Sequence, residues 1–249
     1  MKSNDQKMTY PPLMVLKEVA EDVWIVDGPI IRFYGMPFPT RMTVIKLKSG
    51  GIWVHSPTGD DQKLMEEVAN LGPVEALVAP NWIHYAWVPD WQKRFPEAKT
   101  WVAPGVVKRA ESRGLSLGTC FALENEDPWS EEIRTRIIEG HRIHREAVFF
   151  HRPSKTLVLT DLIENFEKEK IPLWFRPLVW AAGTMDPDGR TPLDMRTAIK
   201  MGDIEAARRG IRELLSWEPE RVLLAHGRWY EKNGAKELRR AFRWLGSLD

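Results

Sequence analysis

The first half of the chain is built from short apolar runs cut by turn residues, and the second half from longer helical patterns. Val19 to Val26 mixes alternation with β-branched residues and reads as a strand, with Asp27-Gly28 as its turn. Arg41 to Leu47 and Ile52 to His55 flank Ser49-Gly50-Gly51 and read as a hairpin. Thr58 or Asp60 is placed to cap a helix that runs to about Leu71, where apolar residues recur at helical spacing. Val74 to Ala79 is a short, fully apolar strand pattern apart from Glu75, followed by a helix over Pro89 to Phe95, a strand over Lys99 to Val102 and a short helix over Val106 to Arg113.

Residues 114–131 carry no clear period. Arg134 to Ile138 reads as a strand, and Ala147 to Phe150 with Thr156 to Thr160 as a hairpin turned by Arg152-Pro153-Ser154-Lys155. Residues 163–201, with Trp174, Pro177, Trp180, Met185 and Pro187, read as an irregular or broken-helix insertion. From Asp203 to Trp217, Ile204, Ala207, Ile211, Leu214 and Leu215 share one helical face. Arg221 to Ala225 is a last strand ending at His226-Gly227, and Ala235 to Leu245 a closing helix. Strands separated by helices in both halves specify an α/β fold.

Composition narrows the function classes. The 249 residues are 43% apolar and 29% charged, ordinary values for a globular chain. Lys plus Arg number 36 against 35 Asp plus Glu, so charge gives no reason to expect nucleic acid or a membrane surface as partner. The single cysteine, Cys120, excludes an intrachain disulfide and fits a reducing compartment. Met1 to Pro12 reads as a loose polar leader without the apolar core of a signal peptide. Together with the lack of an apolar run of about 18 residues or more, this sets the expectation of a cytoplasmic protein. Twelve tryptophans are many for this length, and several fall in loops, where they can line a pocket.

The candidate chemistry sits at strand ends. Of six histidines, His55 and His226 end strand-like runs, His84 follows one, and His141 follows a strand and a glycine; Asp161 ends the run Thr156 to Thr160. Loops at strand ends are where layered α/β folds bind ligands. Imidazole and carboxylate are the usual ligands of zinc and of non-haem iron. Any one of these histidines is explained by a packed or hydrogen-bonded residue; the joint placement points to a metal.

The order of these residues resembles the metallo-β-lactamase-like superfamily. The opening Val19-x-x-x-Val23-Trp24-x-Val26 resembles its start, and His55-Ser56-Pro57-Thr58-Gly59 stands where it has an Asp-x-Gly turn. The stretch Leu77 to His84 stands where that family has a strand and then HxHxDH. Phe95-Pro96-x-Ala98, Gly140-His141, Leu159-Thr160-Asp161 and Leu223-Leu224-Ala225-His226-Gly227 resemble its later motifs. The resemblance implies a four-layer αββα sandwich over a single domain, residues 1–249. It also implies a ligand set of His84, His141, Asp161 and His226 around one zinc or iron ion, with His84 and Asp161 as the catalytic pair. Asn81 and Ile83 replace the first two histidines of HxHxDH, which resembles an uncharacterised branch, a domain of unknown function with a Pro-Asn-x-x-His signature.

Alternatives stay open on several residues. His144 and Glu146 are the other candidates for the His141 position, because they share one face of a strand that His141 does not. His55 either orients a ligand or packs at its strand end. His151, beside a hairpin turn, is expected to face solvent, and Cys120 to be a buried inert thiol. Trp82, Tyr85, Trp87 and Trp91 form either a cover for the sheet edge or the apolar wall of a ligand site. Arg41 and Arg228 are either surface residues or anchors for a substrate anion. Two functions follow: a metal-dependent hydrolase-like enzyme acting on a small molecule, or a metal-free binding or scaffold protein on the same fold.

Overall fold

A computed structural model describes residues 6–124, 127–140 and 145–248. Its strands form two sheets. The larger holds β1 (Lys17–Ala20), β2 (Val23–Phe33), β3 (Met36–Lys46), β4 (Ile52–His55), β5 (Val74–Ala79), β6 (Lys99–Val102) and β7 (Cys120–Ala122), side by side in chain order. The smaller holds β8 (Ile133–Ile138), β9 (Glu146–His151), β10 (Thr156–Val158) and β11 (Arg221–Leu223), in the order β11-β10-β9-β8. The helices are α1 (Gln62–Leu71), α2 (Val88–Arg94), α3 (Val106–Glu111), α4 (Arg176–Ala182), α5 (Leu193–Met201), α6 (Ile204–Ser216) and α7 (Gly234–Ala241).

Side-chain alternation sorts residues into three apolar layers. One face of the large sheet packs on one face of the small sheet, with Ile25, Ile45, Trp53 and Val78 against Ala147, Phe149, Val158 and Leu223. The other face of the large sheet, through Val44, Ile52, Val54 and Leu77, takes Leu64 and Val68 of α1 and Trp91 of α2. The outer face of the small sheet, through Val148, Phe150 and Leu157, takes Ile199 of α5, Ile211 and Leu214 of α6 and Leu238 of α7. The arrangement is therefore helices, sheet, sheet, helices: the αββα sandwich that the family resemblance implies.

Several boundaries differ from the sequence reading. The strand expected over Val19 to Val26 is two strands, parted by a turn in which Asp22 has φ 58°, a left-handed conformation that Asp tolerates better than most residues. Asp27-Gly28 is not a turn but lies inside β2, at an irregularity in the pairing with β3. Glycine is required there because a Cβ would lie 2.1 Å from Thr58 Oγ1 and 2.4 Å from Thr40 Oγ1. The turn between β2 and β3 falls instead at Tyr34-Gly35, with φ of 48° and 80°, the two positive values of a type I′ hairpin. The cap of α1 is Asp61, whose carboxylate accepts from Leu64 N at 2.8 Å, rather than Thr58 or Asp60. The insertion over 163–201 includes two regular helices, α4 and α5.

The Phe149 ring is fully buried between the sheets and meets the Trp53 ring edge-on at 4.9 Å. Phe149→Ala should lower unfolding free energy by about 3–5 kcal/mol, read by urea titration. A loss below about 1 kcal/mol would mean the sheets do not pack tightly at this point.

Candidate metal centre

Parallel strands end level with one another, so the chain segments leaving them gather at one edge. In the large sheet β4 and β5 are parallel, with His55 opposite Val78; in the small sheet β10 and β11 are parallel, with Val158 opposite Leu223. The segments leaving these four strands supply Ser56, Asn81 and His84, Asp161, and His226.

Each side chain is held by specific bonds. Asn81 Oδ1 accepts from the backbone N–H of Ile83 (3.0 Å) and of His84 (3.1 Å), a turn that projects the His84 ring. Its Nδ2 donates to Asp161 Oδ2 at 2.6 Å and Thr160 Oγ1 at 2.9 Å. Ser56, at φ 51°, leaves β4 with its Oγ 2.7 Å from His84 Nδ1. Glu146 of β9 accepts from Thr160 N (2.7 Å), Asp161 N (2.8 Å) and Leu162 N (3.1 Å), which fixes the loop that carries Asp161.

His226 is held from the β2–β3 hairpin. Its Nδ1 donates to the Pro39 carbonyl at 2.7 Å. Arg41 donates to the carbonyls of Leu224 (2.6 Å) and Gly227 (2.9 Å), on either side of His226, and its charge is matched by Asp27 at 2.7 Å. Gly227 has φ 88°, and a Cβ there would lie 2.2 Å from the Asn165 carbonyl oxygen, so the close approach of the insertion to this loop requires glycine.

Three groups converge as a result. His84 Nε2 lies 3.3 Å, and His226 Nε2 3.1 Å, from the same Asp161 oxygen, Oδ1. One ligand atom from each of the three lies within 4.8 Å of the others, close enough to share one cation. The tautomer of His226 sharpens this. A carbonyl only accepts, so Nδ1 carries the proton, and Nε2 turns either a second proton or a bare lone pair toward a carboxylate. A lone pair facing a carboxylate is repulsive, so the contact requires a proton or a metal cation. The carbonyl behind His226 and the hydroxyl behind His84 are the partners that orient metal-bound imidazoles. The donor set and its surroundings therefore fit zinc or iron.

Electrostatics agree with this geometry. Burial alone would raise the Asp161 pKa, but the charge and hydrogen bonds of His84 and His226 outweigh it and hold the carboxyl well below its usual range. Burial, then the Asp161 charge, push Glu146 up to about 7 against the backbone N–H groups that bond it. His55 is buried with neither ring nitrogen hydrogen-bonded among the described residues, and burial drops its pKa to about 3. It packs beside Trp53 and Phe149 and donates nothing to the triad.

The structure thus brings together His84, Asp161 and His226 of the expected ligand set. His141 and its alternative His144 lie outside the described residues. Glu146, the other alternative, turns its carboxylate onto the backbone and not onto the triad. His151 is buried, not solvent-facing, with Nδ1 2.7 Å from Ser154 Oγ. Cys120 is half-buried in β7, with its pKa raised by burial. Arg41 is buried in its ion pair, while Arg228 is exposed. Trp91 belongs to the core, whereas Trp82, Tyr85 and Trp87 line a cleft of about 540 Å³ that opens beside the triad. Sequence reasoning missed the positioning parts played by Ser56, Asn81 and Pro39, and it missed Glu164, a buried carboxyl in the cleft wall.

Two facing sheets flanked by helices, with imidazoles and a carboxylate at the strand ends, define the metallo-β-lactamase fold. Solved structures similar to the chain share it. They include the metallo-β-lactamase DIM-1 exposed to ceftazidime, at 15% identity over 92% of this chain and 96% of that one, with a TM-score of 0.63. A metallo-β-lactamase from Pontibacter korlensis matches at 14% identity, 92% and 97% coverage and a TM-score of 0.61. FIM-1 from Pseudomonas aeruginosa, in its mono-zinc form, matches at 11% identity, 94% and 96% coverage and a TM-score of 0.61. Identities this low show the fold alone. No curated protein matches the chain by sequence. The chain belongs to the family described as Domain of unknown function (DUF4336), whose model matches residues 20–202.

Burial pushes the Glu164 carboxyl up to about 8; the charge of His226 opposes this, and Asp161 and Asp194 reinforce it. The unfolded carboxyl ionises near 4.5, so the folded state loses stability as pH rises from there through about 8. Glu164→Gln removes this loss. In urea unfolding of chelator-treated protein, variant and wild type should be nearly equal at about pH 5, and the variant more stable by roughly 2–4 kcal/mol at about pH 8. A difference that does not grow with pH would mean Glu164 ionises as an ordinary carboxyl.

Proposed function

We propose that this protein is a metal-dependent hydrolase of a small molecule, folded as a single domain, with one zinc or iron ion held by His84, Asp161 and His226. The observation that carries this reading is the approach of two imidazole nitrogens to one carboxylate oxygen, while the other nitrogen of His226 is committed to the Pro39 carbonyl. When bound, such an ion polarises a substrate oxygen and makes water acidic enough to serve as a nucleophile near neutral pH.

The chain's own residues do the rest. Asp161 supplies negative charge and stays ionised at any physiological pH. Asn81 takes up its second oxygen, so Oδ1 alone faces the histidines. Ser56 and Pro39 set the ring orientations of His84 and His226. The cleft beside the triad has the volume of a small-molecule site and is lined largely by apolar side chains, which exclude water from the reacting region. Glu164, in the same wall and neutral to about pH 8, is available to donate a proton.

The second reading, a metal-free binding protein, draws on the same contacts. With a second proton on His226, its contact with Asp161 is a buried, hydrogen-bonded ion pair that needs no metal.

Metal analysis separates the two. Untagged protein purified without chelator should carry about one equivalent of zinc or iron, which Asp161→Ala and His226→Ala should each lose. Chelation should lower the wild-type melting temperature by several degrees and leave the Asp161→Ala variant unchanged. Wild type that takes up neither Zn²⁺ nor Fe²⁺ added anaerobically would overturn the enzyme reading and leave the binding protein.

A further inference from the structure

The cleft beside the triad has two chemically different flanks, and strand order fixes which is which. β3 runs antiparallel to β4, with Thr43 opposite His55. Met36 to Met42 therefore extend beyond the end of β4, and the β2–β3 hairpin stands up on one side of the triad. Its lining side chains are apolar except for Arg32, whose guanidinium donates to the Gly35 carbonyl at 2.9 Å, and Thr40, which donates to the Pro29 carbonyl at 2.9 Å. Phe38 packs edge-on against Phe166 at 5.9 Å and Phe175 at 6.2 Å, and Val179 of α4 joins them. This apolar lining continues outward to the mouth of the cleft, where Tyr34 is 78% and Leu178 51% exposed.

The other flank lies across β5 and β6. There α3 and the turn after it bring Arg109 and Arg113 to the cleft wall, and Arg145 joins them just ahead of β9. The Arg109 guanidinium sits 4.6 Å from the centre of the Trp82 ring, which holds it in place without neutralising it. Among the described residues none of these three arginines has an ion-pair partner. Of the carboxylates that share the cleft with them, Glu146 is engaged by backbone N–H groups and Asp161 by the two histidines, Glu164 is buried in the wall, and Asp194 sits in the first turn of α5. Guanidinium groups in this state are receptors for an oxyanion.

We propose that the cleft takes a single-chain amphiphile with an oxyanion head. Its apolar chain lies against the wall formed by the hairpin and α4. Its phosphate or carboxylate group is received by Arg109, Arg113 and Arg145. The triad, at the ends of strands that lie between these flanks, faces the middle of the molecule. This names the substrate class of the hydrolase proposed above and rests on that reading for what the site does with the ligand; binding itself involves no metal.

Calorimetry on chelator-treated protein tests it, with octyl phosphate, octanoate, octanol and inorganic phosphate as probes, each below its micelle concentration. Octyl phosphate or octanoate should bind saturably, about tenfold or more tighter than octanol and than inorganic phosphate. The stronger of the two identifies the head group. The double variant Arg109→Ala/Arg113→Ala should weaken the octyl anion by about tenfold or more and octanol by less than about twofold. Arg113→Ala alone, which leaves the stacking on Trp82 intact, should act in the same direction, and near-ultraviolet circular dichroism checks that both variants are folded. Phe38→Ala should weaken octyl anion and octanol alike.

Four results would each overturn the proposal: no binding of either anion, equal binding by folded double variant and wild type, inorganic phosphate binding as tightly as the octyl anions, or binding seen only with phosphatidylglycerol vesicles. Metal content is measured separately on the same preparations. Normal metal with no amphiphile binding removes this inference alone, and amphiphile binding without metal removes the hydrolase reading alone.

Discussion

A carboxylate that is 6% exposed and still ionised must be compensated on every side, and Asp161 is such a group. Its compensation is drawn from three strand ends and both sheets. Asn81 and His84 come from beyond β5, His226 from beyond β11, and Glu146 from β9 holds the backbone on which the carboxylate sits. That charge is the one group toward which Asn81, His84 and His226 all turn. The site is therefore not an addition to a finished sandwich but the fastening at one end of it.

The same logic makes the β2–β3 hairpin more than a wall. Pro39 fixes the tautomer of His226, Arg41 clamps the backbone on both sides of it, and Phe38 stacks edge-on against its ring at 5.3 Å. The hairpin thus sets the orientation of one triad member while its outer half lines the cleft. Any ligand that presses on the apolar side of the hairpin acts on an element that also positions His226, so occupancy of the cleft and the geometry of the triad share one structural support.

The layered fold was legible because apolar runs end in polar side chains. His55, Asp161 and His226 each close such a run, and alternation along Ile52 to His55 and Ala147 to Phe150 separates two buried faces. Turn chemistry misled where packing overrode it. Asp27-Gly28 has the composition of a turn, yet the glycine serves the close approach of two threonine hydroxyls inside a strand. The positioning residues were illegible because their bonds join distant parts of the chain. Asn81 to Asp161 spans 80 residues and His226 to Pro39 spans 187, and the second acceptor is a backbone carbonyl, which no residue type announces. His151 was misread for a related reason: proximity to a turn suggested exposure, but its strand is buried on both faces.

Asn81 also limits where this sequence can go. Its single oxygen accepts two backbone N–H groups and its single nitrogen donates to Asp161 and Thr160. A neutral imidazole has one donor and one acceptor, at fixed opposite corners of a ring, and cannot reproduce that set. A histidine at 81 would undo the turn that projects His84 and strip a partner from Asp161. The asparagine thus fixes the direction of His84 and the free oxygen of Asp161 at once, so the site tolerates no side chain at 81 that lacks either the amide oxygen or the amide nitrogen.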